Sequence, residues 1–382
     1  SSARPIELAA LGVDRLLTPE ELDAKNAAIL GYQWDKWEDD WLGNVKGFYT
    51  ALGDRFRLYY GGIDSIGIKD RSRQITSLMA NVAERQALTL ACGVTTLDFH
   101  DNVQQSDRRL FPFVEPSTTP LSEKTLNVDV ATGSYADRDA YDVDVTLTPG
   151  TKELSIRFNN DAYDESTGDD RNLFIDVVEI YQDDKLISVV EGEDFQSATG
   201  FSQTVYDDGT RMGAVEYSNV DGNWLPSAWN MWGEGYVAFH INIVEQGNYR
   251  FRIIAWGSDY RDGVPANMTA TVGAIELSSD TAGARSLRTQ IQYLHNLMLG
   301  EHLSSTDPEI EAVYQLLVET WQERKTHADN TRAWSSPSDE CLFPRQIGQD
   351  EWVTLGVDPD QMIYAWTSVM HYYLTHFDYL HE

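Results

Sequence analysis

The sequence is short of positive charge, cysteine, histidine and long apolar runs, and each shortage excludes something. Lys and Arg number 29 against 61 Asp and Glu, a formal net charge of −32. That charge repels phosphate backbones and anionic headgroups, so neither nucleic acid nor a membrane surface is an expected partner. Two cysteines, Cys92 and Cys341, make no zinc site, and neither begins the CxxCH motif of haem attachment, so no haem is expected in this chain. They form either one disulfide or two buried thiols, and the sequence leaves both open. No run of roughly 18 apolar residues occurs, so no membrane span is expected. The opening Ser1-Ser2-Ala3-Arg4-Pro5 has no signal-peptide pattern and reads as a processed terminus, which leaves a removed signal open. There is no GxSxG, no P-loop and no dinucleotide fingerprint. The 8 histidines are scattered. His100 follows Asp98, and His371, His376 and His381 lie in the last helical stretch. His371 and His376 are five apart, a poor match to a zinc pair spaced by four, and read better as helix packing. No carboxylate pair stands out as a glycosidase acid and nucleophile. The chain reads as non-catalytic.

What is present supports well-packed domains. The chain is 42% hydrophobic and holds 11 Trp, 19 Tyr and 13 Phe. Its 382 residues suffice for two or three domains of roughly 100–200 residues each. Excess carboxylate suits hard cations, calcium first, and also serves plain solubility. Residues 121–280 hold 29 acids and 10 bases, a net of −19, against −13 for the remainder. The acid is concentrated where an ion site would help to explain it.

The N-terminal part reads helical. Thr18-Pro19-Glu20-Glu21 is a helix start with a capping box, and Leu22, Ile29, Leu30, Trp34, Trp37 and Trp41 follow at helical spacing. A second helix is expected over 71–96, with Ile75, Leu78, Met79, Val82, Ala83, Leu90 and Val94 inward. Pro112, Pro116 and Pro120 mark a linker. From Leu126 to Leu277 the apolar residues alternate, as in Val143-Asp144-Val145-Thr146-Leu147, Leu154-Ser155-Ile156-Arg157-Phe158 and Tyr249-Arg250-Phe251-Arg252-Ile253. Period two, with Gly, Asp and Asn turns between, predicts a β-sandwich. Helices then return: one with Leu287, Ile291, Leu294, Leu297 and Met298 on a face, one starting at Asp307-Pro308-Glu309, and one over 360–380. The expected architecture is multidomain, α and β: a jelly-roll-like β-sandwich over 121–280 inserted between helical segments 1–120 and 281–382, which pack together as one domain.

The most informative stretch runs from Asn159 to Asp176. Asn159-Asn160-Asp161 ends a strand, an acidic loop follows, and Asp169-Asp170-Arg171-Asn172-Leu173 leads into the next strand. Two converging loop ends with oxygen ligands make a calcium cage, which needs about 6–8 oxygens; the plainer reading is a solvated acidic hairpin. The pattern Asn160-Asp161, then Asp170-Arg171-Asn172-Leu173 and Asp176, resembles calcium-dependent xylan-binding modules. The resemblance implies calcium held by Asp161, Asp170 and the backbone carbonyl of Asp169, with its open side ligating sugar hydroxyls. Arg171 and Asn172 are expected to hold the loop. Val190-Glu191-Gly192-Glu193-Asp194-Phe195 and Gly247-Asn248-Tyr249 resemble the opening of such a module but come late, as in a permuted one.

A second candidate surface is aromatic. Trp224, Trp229 and Trp232 fall within nine residues, and indole faces stack on sugars; the competing reading is that at least one plugs the core. The helical parts, through Tyr60-Gly61-Gly62-Ile63-Asp64, Ile291-Gln292-Tyr293-Leu294-His295, Leu299-Gly300-Glu301 and Asp307-Pro308-Glu309-Ile310, resemble large bacterial envelope proteins that accompany c-type cytochrome modules. Together these imply a periplasmic or extracellular protein that binds polysaccharide through calcium. The alternative is a structural subunit of an assembly, with a cytochrome among its partners and calcium only structural. A hydrolase or lyase is a third class.

Overall fold

The computed structural model describes residues 16–17, 19–31, 77–99, 103–199, 214–215, 228–278, 280–327, 358 and 360–381. It divides into two compact units. One is Ser117–Arg285; the other combines the described residues up to Pro116 with those from Ser286 onward.

The first unit is a sandwich of two antiparallel sheets, neither of them closed. One sheet has the order β1 (Ser122–Asp129), β13 (Asn267–Ala274), β3 (Gly150–Phe158), β11 (Gly235–Ile243), β8 (Ser197–Thr199). The other has β2 (Asp139–Leu147), β12 (Gly247–Gly257), β6 (Leu173–Gln182), β10 (Ala228–Met231), β9 (Ala214–Val215), and β7 (Lys185–Glu191) also pairs with β6. The alternation in the sequence is the burial pattern. Leu154, Ile156 and Phe158 of β3 share one core with Val237, Phe239 and Ile241 of β11 and with Tyr249, Phe251 and Ile253 of β12. Their neighbours point outward, as a pleated strand demands. Two of the acids are answered on that outer face. Asp142 and Asp144 of β2 stand directly across from Arg252 and Arg250 of β12. Arg252 donates to both Asp142 oxygens at 2.8 and 2.9 Å, and Arg250 donates to Asp144 at 2.9 Å. These two carboxylates are therefore matched by cross-strand arginines.

The second unit is helical: α1 (Pro19–Leu30), α2 (Ser77–Asp98), α3 (Ala282–Leu299, within this unit from Ser286), α4 (Pro308–His327), α5 (Met362–Thr375) and α6 (Phe377–Leu380). Helix α1 begins at the expected proline. Met79, Ala83, Leu90 and Val94 of α2 are buried, as are Leu287, Ile291, Leu294 and Met298 of α3 and Ile310, Val313, Leu317 and Trp321 of α4. Leu297 is only half-buried. N- and C-terminal parts meet directly: Leu17 donates its N–H to Leu380 at 2.9 Å, and the Tyr379 hydroxyl donates to Asn26 at 2.7 Å. Asp98 collects the backbone N–H groups of Arg109, Leu110 and Phe111, at 2.6–3.3 Å. Phe111 beneath it packs on Phe99 and Trp366.

The structure corrects one element. The helix expected over 360–380 is two, broken at His376, whose φ of −63° and ψ of 142° are extended. The His376 ring accepts the Asp378 N–H at 3.3 Å, so the residue ends one helix and caps the next. The expected faces at Trp34, Trp37, Trp41 and Ile75, and the turn at Tyr60–Asp64, lie outside the described residues. Cys92, fully buried on α2, is disulfide-bonded. The sequence has one other cysteine, Cys341, outside the described residues.

Candidate functional site

The acidic stretch is an ordered hairpin at the end of the sandwich where β3 stops and β6 starts. Its strands are β4 (Ala162–Asp164) and β5 (Asp169–Arg171), paired Ala162 to Arg171, Tyr163 to Asp170 and Asp164 to Asp169. The turn is built by Asp164, whose carboxylate accepts the Ser166 N–H at 2.8 Å and hydroxyl at 2.6 Å, and by Gly168 at a φ of +76°. Arg261 pairs with the other oxygen of Asp164. Paired residues project to the same face, so Tyr163 and Asp170 share one side of the hairpin, and Asp164 and Asp169 the other.

Arg171 fixes this hairpin to its surroundings. Its nearly buried guanidinium donates to the carbonyls of Val264 at 3.0 Å and Asn160 at 2.7 Å, and to both oxygens of Asp262 at 2.7 and 2.6 Å. It also lies over the Tyr260 ring. Asn159 and Asn160 lock the incoming strand: Asn159 donates to Asn267 and Thr269, Asn160 to the Pro265 carbonyl, and Asn267 returns its N–H to Asn160. Ser258 accepts the Asn172 N–H at 2.7 Å and donates to the Asp170 carbonyl at 2.6 Å.

Asp161 sits inside this frame. Burial pushes its carboxyl up to about 6, and the Asp170 carboxylate adds to the rise, against the Ala162 N–H and Arg171. Its Oδ1 is buried with no hydrogen-bond partner among the described residues. Asn172 donates its amide to Asp170 at 3.0 Å while its own Oδ1 is likewise buried and unpartnered. Glu234 belongs to the same charge cluster. The residue as a whole is exposed, yet partial burial of its carboxyl raises it first and Asp161 second, with Arg157 opposing. It arrives on the connection Trp232-Gly233-Glu234. The pairings of Met231 with Leu173 and Gly235 with Phe158 hold that connection at this end of the sandwich.

Of the residues expected to act, Asp161 and Asp170 are brought together. The Asp169 side chain points to the far face of the hairpin, leaving its backbone as what it can offer here. Trp229 is fully buried in the core, edge-on to Phe195 at 4.7 Å, so its indole has no face open to a sugar. Trp232 is half-buried beside Glu234. Trp224 lies outside the described residues. Sequence reasoning missed Glu234, delivered by a non-local strand pairing, and Tyr163, which is 61% exposed on the face it shares with Asp170. The one available signal for Tyr163 was a large aromatic within a polar turn.

Against known proteins, residues 121–187 match the model of CBM60, the Ca-dependent, xylan-binding carbohydrate-binding module. The match takes in β1 to β6 and the whole hairpin. It ends before Val190–Phe195 and the Gly247 strand. No curated protein matches the chain. Among solved structures, the P-domain of Macrobrachium rosenbergii nodavirus is similar at 12% identity over 41% of this chain and 97% of that one. Its TM-score of 0.16 carries no argument.

Proposed function

We propose that the sandwich binds polysaccharide through a calcium ion held by Asp161, Asp170 and the Asp169 carbonyl, with Asn172 Oδ1 and Glu234 as further oxygen donors. The observation that carries this is the half-buried Asp161 carboxylate, one of whose oxygens is fully buried and unpartnered, beside a second carboxylate. A buried unpartnered acceptor costs about 1–3 kcal/mol, and more when charged. A cation between the two carboxylates removes that cost and their repulsion together. The match to a calcium-dependent xylan-binding module over this same hairpin supports the reading. Arg171 and Ser258 then act as positioning residues that hold the ligand-bearing backbone. The exposed Tyr163 ring and Trp232 would give a sugar its stacking surface beside the ion.

A periplasmic or extracellular setting goes with this reading, because a disulfide such as that of Cys92 persists in oxidising compartments. The test is a calorimetric calcium titration of the chelator-stripped chain, with and without soluble xylan. Calcium binding that tightens with xylan is the expected result, since linked ligands strengthen each other. Absence of calcium binding overturns it.

One observation favours a second reading, a structural subunit of a larger assembly. Among the described residues β7 pairs only with β6, and it exposes Leu186, Ile187 and Val189. An apolar edge strand is a template for strand addition by another protein. Calcium binding indifferent to every glycan, with a stable complex in native purification, would move the reading there.

A further inference from the structure

Among the described residues, His295, Glu301 and Glu309 form the set of His, Cys, Asp and Glu ligand atoms that all lie within 4.8 Å of one another. They belong to the helical unit, and the glycan-binding reading does not use them. We propose that these three, with His376 as a fourth, bind a divalent transition-metal ion of the zinc type.

The local structure explains how they meet. Gly300, at a φ of +72°, ends α3 in the left-handed region, with its N–H on the Asn296 carbonyl. The chain turns back, and Glu301 comes to 3.0 Å from Nε2 of His295, six residues earlier. Glu309 stands in the first turn of α4, which Asp307 caps by accepting the Glu309 N–H at 3.0 Å. His376 ends α5 with Nε2 at 3.9 Å from Glu309 Oε1. The break after it brings Asp378 back beside the same ring.

The chemistry is that of a metal centre rather than an acidic patch. The His295 side chain is 0% exposed and turns Nε2 to the Glu301 carboxylate, which leaves Nδ1 to carry the ring proton when Nε2 ligates. Two ligands of a tetrahedral ion at about 2.0–2.1 Å lie about 3.3 Å apart, between the two separations observed. With Nε2 on the ion, Nδ1 of His376 would carry the ring proton and turn from accepting the Asp378 N–H to facing the Asp378 carboxylate, 3.6 Å away, as the outer partner of a ligating imidazole. Imidazole nitrogen selects zinc-type ions over calcium. Glu301 and Glu309 remain partly exposed, so an ion has a route in. Bound there, it would tie together the end of α3, the start of α4 and the junction of α5 with α6.

The test is zinc titration of the chelator-treated full-length chain, by calorimetry and by metal content after gel filtration. One equivalent is expected, with affinity falling on the order of tenfold or more in Glu301→Gln and in Glu309→Gln. These exposed positions carry the test because His295→Gln risks the packing of a buried ring. Asp161→Asn should leave zinc uptake unchanged, which separates this site from the sandwich. No uptake by the parent chain overturns the proposal. So does uptake equal in parent and both glutamine variants.

Discussion

Burial drives the Asp161 carboxyl up to about 6, and Asp170 beside it pushes the same way. An acid raised in the folded state stabilises the fold fully below its ordinary 3.8 and loses that contribution as pH rises through about 6. Without calcium, the sandwich should melt at lower temperature at pH 7 than at pH 4.5, as far as this group decides. Asp161→Asn should flatten that slope. With calcium the dependence reverses, because a proton competes with the ion. Affinity should fall by up to about tenfold per pH unit below pH 6 for one competing proton. Calorimetry across pH 4.5–7.5 reads both effects, and a pH-independent affinity would remove Asp161 from the site.

Glu234 tests whether the cluster acts as one. Its carboxyl is raised by burial and by Asp161, so charge removed here should be felt at the ion. Glu234→Gln is expected to weaken calcium, while Glu165→Gln, on the exposed hairpin turn, leaves it unchanged. Equal affinities for the two variants would confine the ion to the hairpin.

Arg171 holds two backbone carbonyls and one carboxylate from a nearly buried position. Arg171→Ala should destabilise the sandwich by about 2–4 kcal/mol, since those carbonyls lose a charged donor. Arg171→Lys should recover little, because an ammonium cannot span the fork. Asp262→Ala should matter less, because its carboxylate is half exposed. Denaturant melts of the three variants check the ranking.

The sandwich was legible because its strands are half-buried and the pleat repeats every two residues. Leu154, Ile156 and Phe158 announce β3 by spacing alone. The helix faces on α3 and α4 were legible for the same reason at the longer period. Asp161 and Asp170 could be found because only the eight hairpin residues 162–169 lie between them. Glu234 could not, because it reaches Asp161 only through the pairing of β11 with β3 and β10 with β6. The His295 cluster was hidden differently. The sequence invites a test of His371 against His376 on one helix, and that spacing fails. The chain breaks the helix at His376, and the histidine that matters comes from α3. Which of two neighbouring tryptophans faces inward was also beyond a spacing argument, because the turn after β10 reorients the chain.

Cys92 offers a separate check on the helical unit. It is fully buried on α2 and disulfide-bonded. Reduction, or Cys92→Ala, should lower the stability of the helical unit by about 2–5 kcal/mol. Calorimetric melts of the chelator-stripped chain should then show two handles: reductant moves the helical transition, and added calcium moves that of the sandwich. A single transition that both reagents shift equally would contradict two independently melting units.

Trp229 and Trp232 are three residues apart and should behave as opposites. Trp229 fills the core against Phe195, at 0% exposure. Trp229→Ala therefore leaves a cavity and should cost about 3–5 kcal/mol. Any loss of glycan binding it causes would track unfolding and return under stabilising conditions. Trp232 sits half-buried on the connection that carries Glu234. Trp232→Ala should cost far less stability yet weaken polysaccharide binding at unchanged calcium affinity, because a stacking face is removed and the ion's oxygens stay. Tyr163→Ala, on the open side of the hairpin, should do the same. Melting curves paired with affinity electrophoresis on xylan separate the cases. If Trp232→Ala and Tyr163→Ala bind xylan like the parent, the sugar is held by the ion alone or elsewhere on the sandwich.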